Sequence, residues 1–202
     1  EGLFTQGMVC HETYKDKNNN WISPDEIEVR NGKKVLKKNQ TEEIKIGPSE
    51  SMSKSKKNTI DPEKIIEMYG ADSARLFILS DSPPEKDVQW SDEGIASSYK
   101  FIQKLWSLNE KVIHEIEQNH EEDEGKDLIK FTNKYLKKMT DALNAFSYNI
   151  LIANLHEMQN FFNKELIKKY TKKTITENFS KILVTMIPII PHLANECLKR
   201  IN

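Results

Sequence analysis

Cysteine is scarce in this sequence, which contains only Cys10 and Cys197, far apart along the chain. Neither has a second cysteine at the short spacing of a structural zinc site, so we expect no metal site. Two isolated thiols are typical of a reducing compartment, and we expect a cytoplasmic protein. The sequence also lacks a run of about 18 apolar residues, so it predicts no membrane-spanning segment and no membrane partner.

Apolar content and net charge are low as well. Hydrophobic residues make up 37% of the chain and charged residues 30%, which is lean for a globular core but too apolar for a disordered chain. This balance favours a thin, elongated helical structure. The formal net charge is −1, so any RNA contact has to come from local groups of lysines.

Several lysine pairs are candidates for contacts with phosphate. An ordinary solvated face has the same composition, and we favour that interpretation for any single pair. The pairs are Lys33-Lys34, Lys37-Lys38, Lys137-Lys138, Lys168-Lys169 and Lys172-Lys173.

The first part of the chain favours short β-strands. The first residues lack an initiator Met and a signal peptide, and an apolar segment is already in progress, so we expect the chain to begin within a larger protein. Residues 3–14 predict a buried strand. Asn31-Gly32 predicts a tight hairpin between strands at 26–30 and 34–37. A further strand is predicted at 43–46, stopped by Gly47-Pro48, with a polar loop over 49–58.

Helix signals begin at Asp61 and Pro62, which suit the N-cap and the first helical position. This helix is predicted to reach Tyr69, with Gly70 as its left-handed C-terminal residue. A second helix is predicted over 72–79. On it, we favour a structural salt bridge for Arg75 over a contact with RNA.

From Asp92 onward, apolar residues recur at helical spacing. Such stripes need partner helices to bury them, so the pattern predicts an antiparallel bundle, with an exposed link at 120–125 and a break at Pro188 and Pro191. The four main stripes are Ile102, Leu105, Trp106, Val112, Ile113 and Ile116; Leu128, Tyr135, Leu136, Met139 and Leu143; Leu151, Leu155, Met158 and Phe162; and Ile175, Phe179, Ile182, Leu183 and Met186.

The polar loop Ser51-Met52-Ser53-Lys54-Ser55 is the segment best suited to chemistry. A lysine between two hydroxyls in a loop can bind an oxyanion, such as a triphosphate that gains charge during displacement at its α-phosphorus. On these five residues alone, a solvated linker rich in serine and lysine explains the composition at least as well.

The surroundings of this loop resemble a known family. Met-Ser-Lys-Ser followed by Asp61-Pro62 resembles the signature loop of class I aminoacyl-tRNA synthetases, and residues 69–76 are similar to the segment that follows it. Residues 2–14 and 79–91 look like the leucyl enzymes in particular. Ile190-Pro191-His192-Leu193-Ala194 resembles a helix start late in the family's anticodon-binding bundle.

The resemblance implies ATP and accompanying Mg²⁺ as cofactors, a catalytic role for Lys54, and ATP-binding roles for Met52, Ser53, Lys54, Ser55, Gln6, Gly7 and Met8. A core strand with one small residue explains Gly7 equally well. The family signature usually begins with lysine, where this chain has Ser51. Losing that cation is expected to weaken phosphate contacts unless Lys56 or Lys57 compensates.

The resemblance also implies leucine, tRNA(Leu) and the rest of a synthetase chain as partners. The family's His-x-Gly-His motif, leucine pocket and editing domain do not occur in this sequence, so we expect the isolated chain to be inactive as a ligase. The alternative is a non-catalytic module, derived from such an enzyme, that binds RNA or protein.

The fold class expected is mainly α with a small β portion, a remnant of a Rossmann-type catalytic domain with a β insertion, followed by an antiparallel helical bundle. Residues 1–48 are expected to end the catalytic domain. Residues 49–92 are expected to hold the signature loop and connecting helices. Residues 93–202 are expected to form the anticodon-binding bundle, cut short at its end.

Overall fold

The computed structural model describes residues 7–80, 83–118, 125–166 and 170–201. The chain divides into two compact units. The first unit comprises residues 1–68 and 85–92, and the second comprises residues 69–84 and 93–202. The expected class, mainly α with a small β portion, is confirmed.

The strands all belong to the first unit, which also holds a 3₁₀ turn at Pro24–Glu26. The strands are β1 (Val9–Lys15), β2 (Trp21–Ile22), β3 (Ile27–Arg30), β4 (Lys33–Leu36), β5 (Asn39–Glu43), β6 (Lys45–Ser51) and β7 (Val88–Gln89). The helices are α1 (Pro62–Tyr69), α2 (Ala71–Ser80), α3 (Asp92–Gln118), α4 (Lys126–Asn144), α5 (Tyr148–Glu165), α6 (Lys172–Met186) and α7 (Pro191–Ile201).

Strand β1 is the centre of the larger sheet. It pairs antiparallel with β6 along one edge, where Cys10 lies opposite Ser51. Along its other edge it pairs with β2 near its end and, in parallel, with β7 near its start, where Val9 lies opposite Val88. Because β6 runs antiparallel to β1, the residues that follow β6 lie beside the first residues of β1.

The predicted hairpin is confirmed as β3 and β4 of a three-stranded sheet that ends with β5. Asn31 and Gly32 both have positive φ, 51° and 77°, which is the backbone that a two-residue turn of this kind requires. The ammonium of Lys34 on β4 forms an ion pair with Glu12 and donates to the Tyr14 hydroxyl at 2.9 Å. These contacts connect the hairpin to β1.

The expected strand stop at Gly47-Pro48 is wrong, because β6 continues through both residues to Ser51. Proline is tolerated there because β6 is the edge strand of this sheet as far as the described residues show, with β1 as its neighbour. The pairing register shifts at this point, and the Thr13 hydroxyl donates to the Pro48 carbonyl oxygen at 3.1 Å. The first three residues of the expected polar loop are therefore strand.

The helix signals at Asp61 and Gly70 are confirmed. The Asp61 carboxylate accepts from the Glu63 backbone N–H at 3.0 Å, and Gly70 has a φ of 80°. Both features follow from local chemistry, because a short carboxylate satisfies an N-terminal N–H and only glycine enters the left-handed region without strain. The second helix, α2, is one residue longer at each end than predicted.

The helices of the second unit bury one continuous core. Helix α4 packs on α5 and α6, α6 packs on α7, and α2 packs on α5. The short connection at 145–147 makes α4 and α5 antiparallel neighbours. The stripes predicted for α5 and α6 are buried throughout, as are Leu128, Tyr135 and Met139 of α4.

The stripe predicted for α3 is partly wrong. Ile102 and Trp106 are only partly buried, whereas Ile95, Phe101 and Leu108 are in the core. Apolar residues on α3 cover more than one face, and the packing of the other helices selects which face is enclosed. Of the link predicted at 120–125, only Gly125 is described, and it is buried rather than exposed. Among the described helices, none is long and apolar enough to cross a membrane.

Candidate functional site

The loop predicted to carry chemistry is a compact turn that follows β6. The Met52 backbone N–H donates to the Val9 carbonyl oxygen at 3.2 Å, which holds the loop beside the start of β1. The Lys57 N–H donates to the Lys54 carbonyl oxygen at 3.3 Å, and this bond closes a turn at its tip. The hydroxyls of Ser53 and Ser55 lie 3.2 Å apart on that turn.

Asn58 fastens the loop to the sheet. Its side chain is 0% exposed. The amide nitrogen donates to the carbonyl oxygens of His11 and Glu50, both at 3.2 Å, and the amide oxygen accepts from the Ser53 N–H at 2.8 Å. One side chain therefore ties the start of the turn to two strands. The sequence pattern did not indicate this role for Asn58, although asparagine side chains in polar loops commonly hydrogen-bond to the backbone.

Lys54 projects from this turn as a free cation. Its side chain is exposed and, within the part of the chain that the structure describes, has no hydrogen bond or ion pair. Lys56 differs, because its ammonium forms an ion pair with Glu50. Lys56 is thus already neutralised and is a poor replacement for the lysine that Ser51 lacks. Lys57 is exposed and has a φ of 53°.

Gly7 and Met8 lie at the same end of the sheet as the loop. The Met8 N–H donates to the Asp87 carboxylate at 2.8 Å, and its carbonyl accepts from the Val88 N–H at 2.9 Å. A Cβ at Gly7 would lie 2.3 Å from the Lys86 carbonyl oxygen. The small size of Gly7 is therefore already required by the approach of its own chain, and Gln6 lies outside the described residues.

Cys10 and His11 lie on β1, where both are buried. Burial lowers the pKa of His11, and its Nδ1 is 3.0 Å from the Glu12 carbonyl oxygen. The hydrogen bond from the Lys34 ammonium lowers the pKa of the Glu12 carboxyl. Across the described residues, no group of three or more histidine, cysteine or acidic side chains is arranged to hold a metal.

Several of the lysines named from the sequence have acidic partners. Lys33 pairs with Glu43, Lys138 with Glu157, and Lys173 with Glu177 at 4.0 Å. These contacts fit ordinary charged surface better than sites for a phosphate. Lys168-Lys169 lie outside the described residues.

Arg75 has a structural role, and its contacts among the described residues are hydrogen bonds to the main chain rather than the expected salt bridge. Its guanidinium donates to the carbonyl oxygens of Pro188 and Ile189 at 2.8 and 2.9 Å. These two carbonyls lie between α6 and α7, where the helical hydrogen-bond ladder is broken. Arg75 thus satisfies main-chain acceptors at the junction of the last two helices.

Two family models match parts of the chain. The model described as tRNA synthetases class I (I, L, M and V) matches residues 44–91. The model described as the anticodon-binding domain of tRNA ligase matches residues 125–202. The first match contains the turn with Lys54, and the second contains helices α4 to α7.

Curated relatives cover the whole chain. The leucine–tRNA ligase of Rickettsia massiliae (strain Mtu5) is 40% identical over 203 residues, which cover 100% of this chain and 24% of the relative. The leucine–tRNA ligase of Orientia tsutsugamushi (strain Boryong) is 43% identical over 196 residues, covering 96% of this chain and 23% of the relative. The chain thus spans about a quarter of the length of these relatives.

A solved structure shares the fold. It is the crystal structure of the ternary complex of Agrobacterium radiobacter K84 agnB2 LeuRS with tRNA and LeuAMS. It matches 75% of this chain and 21% of its own chain, with a TM-score of 0.67 and 18% sequence identity. At this identity the likeness supports the fold alone, which is the end of a class I catalytic domain followed by a helical bundle.

Proposed function

We propose that this chain, which belongs to the leucine–tRNA ligase family, forms the signature-loop and bundle part of an enzyme that activates leucine with ATP and transfers it to tRNA(Leu). The observation that carries this proposal is the free ammonium of Lys54 on a turn held to the sheet by Asn58. The complete enzyme is longer than this chain, and the isolated chain neither activates leucine nor corrects errors.

The first reaction transfers an adenylyl group. A leucine carboxylate oxygen forms a bond to the α-phosphorus of ATP, the bond to the bridging oxygen breaks, and pyrophosphate leaves with the electron pair. Negative charge grows on the leaving phosphates. A cation held near that charge lowers the barrier, and one such donor is typically worth about 3 kcal/mol. We assign this role to Lys54.

The turn fits a phosphate-bearing ligand. Its hydroxyls, on Ser53 and Ser55, are 3.2 Å apart and can donate to phosphate oxygens. Met52 places the turn next to Gly7 and Met8 at the start of β1. These are the residues that would hold ATP in this proposal. Mg²⁺ bound with ATP would supply further neutralisation of the phosphates.

The domain assignment belongs to the same proposal. Residues 1–48 end the catalytic domain with a β insertion, residues 49–92 carry the signature loop and connecting helices, and residues 93–202 form the anticodon-binding helical bundle, cut short at its end. We place the complete enzyme in the cytoplasm, where the tRNA substrate occurs.

The test is pyrophosphate–ATP exchange with leucine, measured on the full-length ligase that carries this chain. Lys54→Gln removes the proposed catalytic charge, and Lys57→Gln removes an equally exposed charge three residues away. We expect Lys54→Gln to lower kcat about 100-fold, as loss of one transition-state donor does. Lys57→Gln should stay within about threefold. Equal rates for the wild type and Lys54→Gln would refute the assignment.

One observation favours a second candidate, a binding module without catalysis. Ser51 takes the place of a lysine, and the nearby Lys56 is neutralised by Glu50, so the loop presents fewer free cations than the family signature. Absence of leucine-dependent exchange in the full-length wild type, together with retained tRNA binding, would establish this alternative.

A further inference from the structure

A cleft between α3 and α5 of the second unit has an unusual lining. Its volume is about 580 Å³, and three lysines line it from α3: Lys100, Lys104 and Lys111. Helix α5 contributes the amides of Gln159, Asn160 and Asn163. The remaining lining residues are a glutamine and a serine of α3, so none of them is acidic, aromatic or aliphatic.

The three lysines form one row. At about 100° per residue, spacings of four and eleven residues place them within about 40° of each other around α3, along about 16 Å of its axis. Lys100 and Lys104 are exposed and have no partner among the described residues. Lys111 donates to Asn163 Oδ1 at 3.4 Å, and Glu115 lies one helical turn further along α3.

Two carboxylates near the cleft pair with basic side chains outside its lining, and a third, Glu115, lies beside Lys111 in an adjoining pocket. Glu110, next to Lys111 in sequence, pairs with Arg200, and Glu157 of α5 pairs with Lys138. Burial lowers the pKa of His156, and the charge of Lys104 acts in the same direction. The row of lysines therefore has a positive local field in a chain whose net charge is −1.

We infer that this cleft binds the phosphodiester backbone of a folded RNA without reading its bases. This inference rests on the proposed function, which makes tRNA the RNA concerned. The contact surface is the lining of this cleft, and the contact is made to the RNA backbone. None of the described lysine pairs named from the sequence lines the cleft.

The chemistry favours RNA over a protein partner. Protein interfaces are anchored by aromatic or aliphatic side chains, and the lining contains none. Interfaces with nucleic acid are polar and basic, and amides contact both phosphate oxygens and 2′-hydroxyls because they donate and accept. Without aromatic side chains the cleft has no platform on which single-stranded bases stack. These properties suit the backbone of a duplex arm.

The experiment compares two triple variants of the full-length ligase. Lys100→Gln, Lys104→Gln and Lys111→Gln remove the row. Lys130→Gln, Lys134→Gln and Lys137→Gln are the matched control, since these three lysines are also exposed along one helix, α4, each about one turn from the next. Both triples remove three charges, so a general effect of net charge would weaken RNA binding equally in both.

The probe is an unmodified tRNA(Leu) transcript, with dissociation constants measured by filter binding at several salt concentrations. The cleft variant should bind at least about tenfold more weakly, with a salt dependence reduced by about two to three counterions, whereas the control should stay within about twofold. The affinity of the cleft variant for a transcript with altered base pairs in its stems should be reduced by the same factor. If the triple variant fails to fold, RNA binding is measured with the single variants Lys100→Gln and Lys104→Gln.

Several results would overturn the inference: equal weakening in both triples, unchanged affinity in the cleft variant, or no measurable RNA binding by the wild type. Loss of polyglutamate binding with unchanged RNA affinity would point instead to an acidic protein. Leucine-dependent pyrophosphate exchange, which precedes the tRNA step, should be normal in the cleft variant. Exchange that is absent from the wild type would refute the proposed function separately.

Discussion

Asp72 Oδ2 lies 2.6 Å from the backbone nitrogen of Leu193, 121 residues later in the chain. The other carboxylate oxygen accepts from the N–H of His192 at 3.3 Å and lies 2.9 Å from that residue's Nδ1. The buried carboxylate therefore caps the first turn of α7, where N–H groups have no partner within the helix and negative charge is favoured. It connects the two segments of the second unit that carry the family resemblance.

Removing this cap should destabilise the second unit. Asp72→Ala leaves the buried N–H of Leu193 and the part-buried N–H of His192 without their carboxylate acceptor, and we expect the free energy of unfolding to fall by about 2–3 kcal/mol. Urea unfolding followed by helical circular dichroism measures the change. Glu177→Gln is the control, because it removes an exposed carboxylate 4.0 Å from Lys173 and should cost at most about 0.5 kcal/mol. Equal stability of the two variants would show that the cap contributes little.

Asn58→Asp should loosen the turn that carries Lys54. The new carboxylate would face carbonyl oxygens of His11 and Glu50 that now accept from an amide, at a cost of about 2 kcal/mol or more. We expect faster hydrogen exchange at the Ser53 amide, together with a lower kcat for pyrophosphate exchange in the full-length ligase. Asn18→Asp, in an exposed turn, should change neither. Unchanged exchange at Ser53 in Asn58→Asp would contradict the role assigned to Asn58.

The stability of the first unit should depend on pH through His11. Burial and the charge of Lys34 lower its pKa, while the Glu12 carbonyl and the charges of Asp92 and Glu12 oppose the shift without cancelling it. Because the unfolded chain binds the proton more readily, stability should be constant above about pH 6.5 and should fall below it until the folded pKa is passed.

Tryptophan fluorescence of Trp21 and Trp90 in a Trp106→Phe background reports on the first unit alone. The free energy of unfolding should differ between pH 7.5 and pH 5.5. This difference should be larger in the Trp106→Phe background than after the further substitution His11→Gln. The same pH dependence with and without His11 would assign the effect to other groups.

Asn109 is fully buried on α3, and within the described ranges neither its amide nitrogen nor its oxygen has a hydrogen-bond partner. Asn109→Leu replaces an unpaired polar side chain with an apolar one of similar size. We expect it to raise the free energy of unfolding of the second unit by about 1–2 kcal/mol. Asn133→Leu, at an exposed position of α4, controls for the higher helix propensity of leucine. A loss of stability specific to Asn109→Leu in urea unfolding would mean that the amide is needed.

The features that the sequence predicted correctly are those set by neighbours along the chain. Asp61, Pro62 and Gly70 bound α1 because a cap or a left-handed residue acts within one turn. Asn31-Gly32 specifies the hairpin for the same reason. The resemblance around Lys54 also rests on a continuous stretch of residues.

Predictions that depended on distant contacts were incomplete. Gly47-Pro48 is a break signal in isolation, but β1 supplies hydrogen bonds that carry β6 past it. The buried face of α3 was only partly identified, because its apolar residues allow more than one face and the rest of the bundle selects one.

The sequence by itself determined the helix ends and the hairpin turn, and it identified Lys54 as the candidate for binding phosphate. Both depend on residues that are only a few positions apart. Only the tertiary structure decided which charges stay free. It paired Lys56 with Glu50 and left the Lys54 side chain without a partner among the residues that the structure describes. It also brought Lys104 of α3 and Asn160 of α5 to one cleft. Electrostatic contacts act across space, and their partners are fixed only when the chain has folded.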